Sequence, residues 1–158
     1  MTALKRSFSL VEVLVFVSIL GIFFIAAIAI TLTSLKDMQI NQHKIIATRH
    51  AEELMEWLKN EKEADWSAFS VHSTIDGITY CFNNSLHDNW AATNPDLGSC
   101  GNFNGIIGVL PEIYKREAVL TSLTGSGSFR VDAKVTVSWN EASSVRNVEL
   151  NSTFSMWE

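Results

Sequence analysis

Proline, glycine and charge are each missing from a long part of this 158-residue chain. It has 2 prolines, and the first is Pro95. Neither glycine nor proline occurs over 36–61, and no charged residue occurs over 13–35, a run of 23 residues. Because proline breaks helices and glycine weakens them, their absence predicts a long helix through the first 60 residues.

The charge-free run is long enough to cross a membrane. As a helix it would extend about 34 Å at roughly 1.5 Å per residue, against a hydrocarbon core of about 30 Å. Lys5 and Arg6 precede it, and short basic flanks stay on the cytoplasmic side. We therefore expect a single-pass protein of the cytoplasmic (inner) membrane, with everything after Leu35 outside the cytoplasm.

The chain also has fewer basic than acidic residues. The formal net charge is −5, from 12 basic and 17 acidic side chains. Losing Lys5 and Arg6 by processing would leave 10 basic against 17 acidic side chains, or −7. An acidic protein is a poor electrostatic match for phosphate backbones, so no direct nucleic-acid binding is expected.

Sequence patterns of known catalytic and cofactor sites are missing too. The chain has no HExxH, no CxxC, no glycine-rich phosphate loop and no nucleophile elbow. We therefore expect no enzyme activity, no catalytic residue, no metal site and no cofactor. The Asn- and Asp-rich stretch 83–105 contains hard oxygen ligands such as Asp88 and Asp96, which leaves calcium as an alternative. Because their spacing matches no defined ligand loop, the prediction there is a solvated loop.

One carboxylate, Glu12, stands at the start of the apolar run, after the string Ser7-Phe8-Ser9-Leu10-Val11. A carboxylate in apolar surroundings is costly and usually has a partner. The basic leader, Phe8, Glu12 four positions later and the long apolar run together resemble the N-terminal signal of type IV pilins and type II secretion pseudopilins. Ser7 stands where that family most often has Gly, and it keeps the small size.

The resemblance implies processing and assembly. A prepilin peptidase would remove the leader 1–7 by cutting between Ser7 and Phe8, and the new N-terminal Phe8 would be N-methylated. Glu12 would pair with the terminal amine of a neighbouring subunit. The implied partners are that peptidase, other pilin or pseudopilin subunits and the membrane. The implied protein is a structural subunit, a minor pilin or pseudopilin, that passes from the inner membrane into a filament at the cell surface.

The helix is predicted to continue beyond the apolar segment 8–35. Over 36–62 a single face carries apolar residues at spacings of seven, four, three and four, namely Ile40, Ala47, Ala51, Leu54 and Leu58. That periodicity is typical of an amphipathic helix, which needs a partner surface for its apolar stripe.

The rest of the chain, 63–158, is predicted to be a head domain built on antiparallel sheet. Alternating apolar residues over 129–139 and 148–156 indicate two half-buried strands around a turn at 140–144, and 117–123 is a weaker strand. The expected fold class is α+β and pilin-like, with the helix packed on the sheet. Outside the cytoplasm Cys81 and Cys100 would form a disulfide that staples the loop 81–100, and two free buried thiols are the alternative.

An ordinary signal peptide is the competing interpretation. Ala27-Ile28-Ala29 fits the small-x-small pattern of a signal-peptidase site. The chain would then be a secreted or singly anchored binding domain. Against this, Glu12 would interrupt the apolar region, and hydrophobic residues continue past Ala29 to Leu35.

Overall fold

The computed structural model describes residues 9–101, 113–125, 128–141 and 144–157. The chain divides into two compact units, Met1–Asn41 and Gln42–Glu158. A single helix, α1 (Leu10–Ala64), begins in the first unit and ends in the second.

The second unit adds two short helices and five strands after α1. They are α2 (Trp66–Ser70), β1 (Ile78–Cys81), α3 (Trp90–Thr93), β2 (Asp96–Leu97), β3 (Tyr114–Gly125), β4 (Ser128–Glu141) and β5 (Ser144–Ser155). The strands form one antiparallel sheet in the order β2-β1-β3-β4-β5. This confirms the α+β fold with a long N-terminal helix, and it is the layout expected from the pilin resemblance.

The core of the second unit lies between the C-terminal part of α1 and one face of the sheet. Ala47, Ala51, Leu54 and Leu58 are fully buried, as their spacing predicted. They join one cluster with the alternating inward residues of the long strands, including Ala118, Leu120, Val131, Ala133, Val135 and Val137. Burial of these side chains, at roughly 25 cal/mol per Å² of apolar surface, is the main force that attaches the helix to the sheet.

Several strand boundaries differ from the sequence prediction. Strand β3 begins at Tyr114 rather than at residue 117, and β4 extends to Glu141 before its connection to β5. Phe129, at the start of β4, is 39% exposed although its ring contacts that of Trp66. Met156 is 56% exposed because β5 ends one residue before it.

The stretch predicted as a solvated loop contains two short elements in its described part. Helix α3 begins after Asn89, whose side-chain oxygen accepts a hydrogen bond from the Ala92 amide at 2.8 Å. It ends at Asn94, which has a φ of 43°. Asparagine favours the start of helices and tolerates this left-handed conformation, so the local sequence explains both ends.

The two edges of the sheet are unequal. Strand β2 has 2 residues, whereas β5 has 12 and pairs with β4 without a bulge from Arg130↔Ser155 to Glu141↔Ser144. Among the described residues, no strand pairs with the outer edge of β5. The unpaired backbone groups of one long strand therefore form one side of the second unit.

Candidate functional site

The first unit is a helix whose apolar side chains are exposed on all sides. Between residues 10 and 35, every large apolar side chain is at least 40% exposed. These are Leu10, Val11, Val13, Leu14, Val15, Phe16, Val17, Ile19, Leu20, Ile22, Phe23, Phe24, Ile25, Ile28, Ile30, Leu32 and Leu35. By length and composition this part of α1 could cross a membrane. A soluble monomer rarely exposes so much apolar surface, so this surface marks contact with lipid or with other proteins.

Three hydroxyl groups of this segment bond to the helix itself. Ser18 donates to the Leu14 carbonyl oxygen at 2.8 Å, and Thr31 donates to that of Ala27 at 2.8 Å. Thr33 donates to the Ile30 carbonyl oxygen at 2.8 Å. In an apolar medium each polar group needs an internal partner, so these bonds suit the helix to lipid or to a packed bundle.

Glu12 lies in the first turn of α1. The amides of Glu12 and Val13 both donate to the Ser9 carbonyl oxygen, at 3.0 and 3.2 Å, which places Ser9 at the start of the helix. A carboxylate in the first turn interacts favourably with the helix dipole. Among the described residues the Glu12 side chain has no hydrogen-bond or ion-pair partner. Ser7 and Phe8, the predicted cleavage and methylation positions, lie outside the described residues.

The predicted disulfide is present in the second unit. Cys81, at the end of β1, is bonded to Cys100, and 19 positions separate them in the sequence. The Cys100 amide also donates to the Glu117 carboxylate at 2.7 Å. The bond therefore attaches the segment that contains α3 and β2 to the middle of the sheet.

A buried guanidinium connects the helix to the sheet. Arg116 points inward from β3 with 1% of its surface exposed. Its Nη1 lies 3.0 Å from Glu53 Oε2 on α1, and its Nε donates to the Phe82 carbonyl oxygen at 3.1 Å. Burial lowers the pKa of Arg116, and the Glu53 carboxylate opposes that shift. The pair satisfies a charge that would otherwise be costly inside the core.

Two of the histidines pack beside this pair. His43 Nδ1 lies 2.7 Å from the Tyr114 hydroxyl, and His50 Nδ1 lies 3.0 Å from Glu53 Oε2. Both rings also contact the Tyr114 ring, with centroid distances of 6.0 and 6.3 Å. Burial, with a smaller contribution from Glu141, raises the pKa of Tyr114. These contacts give His43 and His50 a packing role.

Trp90 is the anchor of α3. Its ring stacks on His72 with a centroid distance of 3.9 Å and an interplanar angle of 9°. Tyr80, Phe82 and Trp57 surround it at 4.9, 5.7 and 5.7 Å. The short helix is thus held by aromatic contacts rather than by its own length.

The His72 contact predicts acid sensitivity. Burial lowers the pKa of His72, so the folded state binds its proton less well than the unfolded state does. Its contribution to stability is therefore complete above a pH of about 6.5 and is lost as the pH falls below that value. We expect the urea midpoint of the wild type to fall more between pH 7.5 and 5 than that of His72→Phe, which keeps a ring but cannot titrate. Parallel pH profiles of the two proteins would contradict this.

The histidines and carboxylates do not form a metal centre in the described residues. No group of three His, Cys, Asp or Glu side chains lies close enough there to hold an ion. Asp96 pairs with Cys81 in the two-stranded β1–β2 register, whereas Asp88 lies beside α3. The stretch considered for calcium is therefore divided between a strand and a helix.

Comparisons with family models, with curated proteins and with solved structures find no match to this chain. The functional argument therefore depends on the helix and the head domain themselves.

Proposed function

We propose that this chain is a structural subunit of a type IV pilus or type II secretion pseudopilus, a minor pilin or pseudopilin. In this proposal it is cut before Phe8 and assembles through its N-terminal helix. The observation that carries the proposal is Glu12, a lone carboxylate in the first turn of a helix that exposes apolar side chains on every side.

In this proposal the exposed apolar surface of the helix is covered first by lipid and then by other subunits. Before assembly its apolar surface would lie in the bilayer, where the hydroxyl groups of Ser18, Thr31 and Thr33 are satisfied by bonds within the helix. In a filament the same surface would pack against the helices of other subunits. Glu12 would then meet the free amine of Phe8 on a neighbouring subunit. Opposite charges offset each other's cost of burial, so this contact would also fix the register between subunits.

The second unit would be the extracytoplasmic head. Disulfides persist in oxidising compartments, and Cys81–Cys100 is consistent with that location. The head would face the filament surface or tip, and the buried stripe of α1 packs on the sheet within it.

The N-terminus of the mature protein tests this proposal. We expect intact mass measurement and N-terminal sequencing of the membrane-extracted protein to give a chain that starts at methylated Phe8. A matched variant, Ser7→Arg, puts a large charged residue before the cut and should retain residues 1–7. Ser7→Gly supplies the residue most common in the family and should be processed at least as well as the wild type.

A start at Ile30 would instead support the competing interpretation of a cleaved signal peptide and a released binding domain. A wild-type chain that retained its first seven residues in cells with an active prepilin peptidase would also contradict the pilin proposal. Chains that start at Phe8 and at Ile30 differ in mass by the segment 8–29, so a single spectrum separates them.

A further inference from the structure

A groove of about 480 Å³ lies where the end of α1, α2 and α3 come together. Three alanines, Ala64, Ala68 and Ala91, each contributed by a different helix, line it and leave the space open. Phe69 and the stacked pair of His72 and Trp90 supply its aromatic walls. Its volume is within the usual range of ligand pockets, and most of its wall is apolar.

Specific contacts hold the walls of this groove in place. The Trp90 amide donates to Glu61 Oε2 at 2.9 Å, which attaches α3 to α1. The Trp57 indole donates to the His87 carbonyl oxygen at 2.6 Å. Asp65 begins α2 by accepting a hydrogen bond from the Ala68 amide at 3.0 Å. The shape of the groove is therefore set before any ligand arrives, which lowers the cost of binding.

The charge around the groove is of one sign. Among the described residues, Glu61, Asp65 and Asp88 line it, and no lysine or arginine does. No three such groups in the described residues are close enough to coordinate one ion. The carboxylates are thus distributed around an apolar hollow, which suits an elongated cation with an apolar stem better than it suits a metal ion.

We propose that this groove binds an arginine side chain presented by a partner polypeptide. The methylene stem and the guanidinium plane of arginine pack on aromatic and alanine surfaces. Its five donors can reach carboxylates on more than one side of the hollow. A lysine ammonium would satisfy the charge but would leave the flat apolar walls less well covered. This proposal stands independently of the filament proposal, since it concerns the second unit alone.

The five tryptophans provide a direct measurement. Full-length protein in detergent micelles is labelled with 5-fluorotryptophan, and each resonance is assigned with a single Trp→Phe variant. The probe is the peptide acetyl-Gly-Arg-Gly-Arg-Gly-amide, and its control contains citrulline, which is neutral and almost the same shape as arginine. We expect saturable shifts at Trp90, none at Trp139, and about tenfold weaker binding of the citrulline peptide. Binding should also weaken as salt rises.

Matched variants locate the contact. Ala91→Leu should fill the groove and abolish the Trp90 shift, whereas Ala92→Leu, one position along the same exposed helix but outside the groove, should leave it unchanged. Asp88→Asn should weaken binding by about threefold, as an exposed ion pair does. Asp76→Asn removes an exposed carboxylate elsewhere and should have no effect.

Each contrary result overturns the proposal. An unchanged Trp90 resonance in the wild type would do so, as would equal shifts with the arginine and citrulline peptides. Shifts of similar size at all five tryptophans would show that the acidic protein attracts the peptide generally and does not bind it in the groove. If Ala91→Leu failed to fold, the comparison of Asp88→Asn with Asp76→Asn would still decide, since equal affinities there would exclude this groove.

Discussion

Glu12→Ala is expected to leave membrane insertion intact and to remove most incorporation into filaments. The substitution makes the segment more apolar, so insertion has no reason to fail. In the assembled state it would leave the Phe8 amine of a neighbour buried without its partner, which costs about 3–5 kcal/mol. Since every 1.4 kcal/mol is a factor of ten, association should weaken by about a hundredfold or more.

The measurement compares sheared filaments with the membrane fraction by immunoblot. Asp37→Ala is the control because it removes a carboxylate just beyond the apolar run, on the same helix. We expect Asp37→Ala to incorporate like the wild type and Glu12→Ala to accumulate in the membrane. Equal incorporation of the two variants would remove the role assigned to Glu12. It would leave the groove proposal untouched.

Arg116→Met is expected to cost about 1–3 kcal/mol of the free energy of unfolding. Methionine fills much of the space but removes the bonds to Glu53 and to the Phe82 carbonyl oxygen. Phe82 is fully buried, so its carbonyl oxygen would be left without a donor, whereas Glu53 is 55% exposed and water can solvate its carboxylate. Urea denaturation of the full chain in detergent, followed by tryptophan fluorescence, measures this change.

Lys134→Met provides the matched control. Lys134 Nζ lies 2.9 Å from Glu149 Oε2 on the exposed side of the sheet, and both side chains are about half exposed. Exposed pairs contribute little, so this variant should change stability by at most about 0.5 kcal/mol. If Arg116→Met and Lys134→Met lowered the free energy of unfolding equally, burial would not be the reason that the Arg116 contact is strong.

The helix and the last two strands could be predicted from the sequence because their apolar patterns are nearly complete, with one interruption at Ser152 in β5. Ala47, Ala51, Leu54 and Leu58 keep one helical period, and 129–139 alternates without a break. Strand β3 was only weakly indicated because polar residues occupy some of its inward positions. Arg116 and Ser122 are buried there beside Ala118 and Leu120. The alternation of apolar and polar residues assigns such polar positions to the exposed face of the sheet. Only the partner on α1 shows that the Arg116 side chain points inward.

Glu12 and the groove also differ in how well the sequence predicts them. Glu12 could be singled out from the sequence because it interrupts an apolar run, although the partner proposed for it lies on another molecule. The groove could not, because its lining comes from two separate stretches, 61–72 and 88–91, whose residues are ordinary in type. Asp88-Asn89 was recognised only as a loop signal. What brings these residues together is the packing of Trp90 against His72, a long-range contact without a local pattern.

The unequal edges of the sheet limit how copies of this protein could join through their backbones. A fibre that grows by strand addition needs two usable edges on every molecule, one to give and one to receive. Strand β5 supplies one, but the two residues of β2 are too few for the other. Open-ended growth of a cross-β fibre by strand pairing is therefore blocked. Any backbone pairing between heads would stop at two molecules.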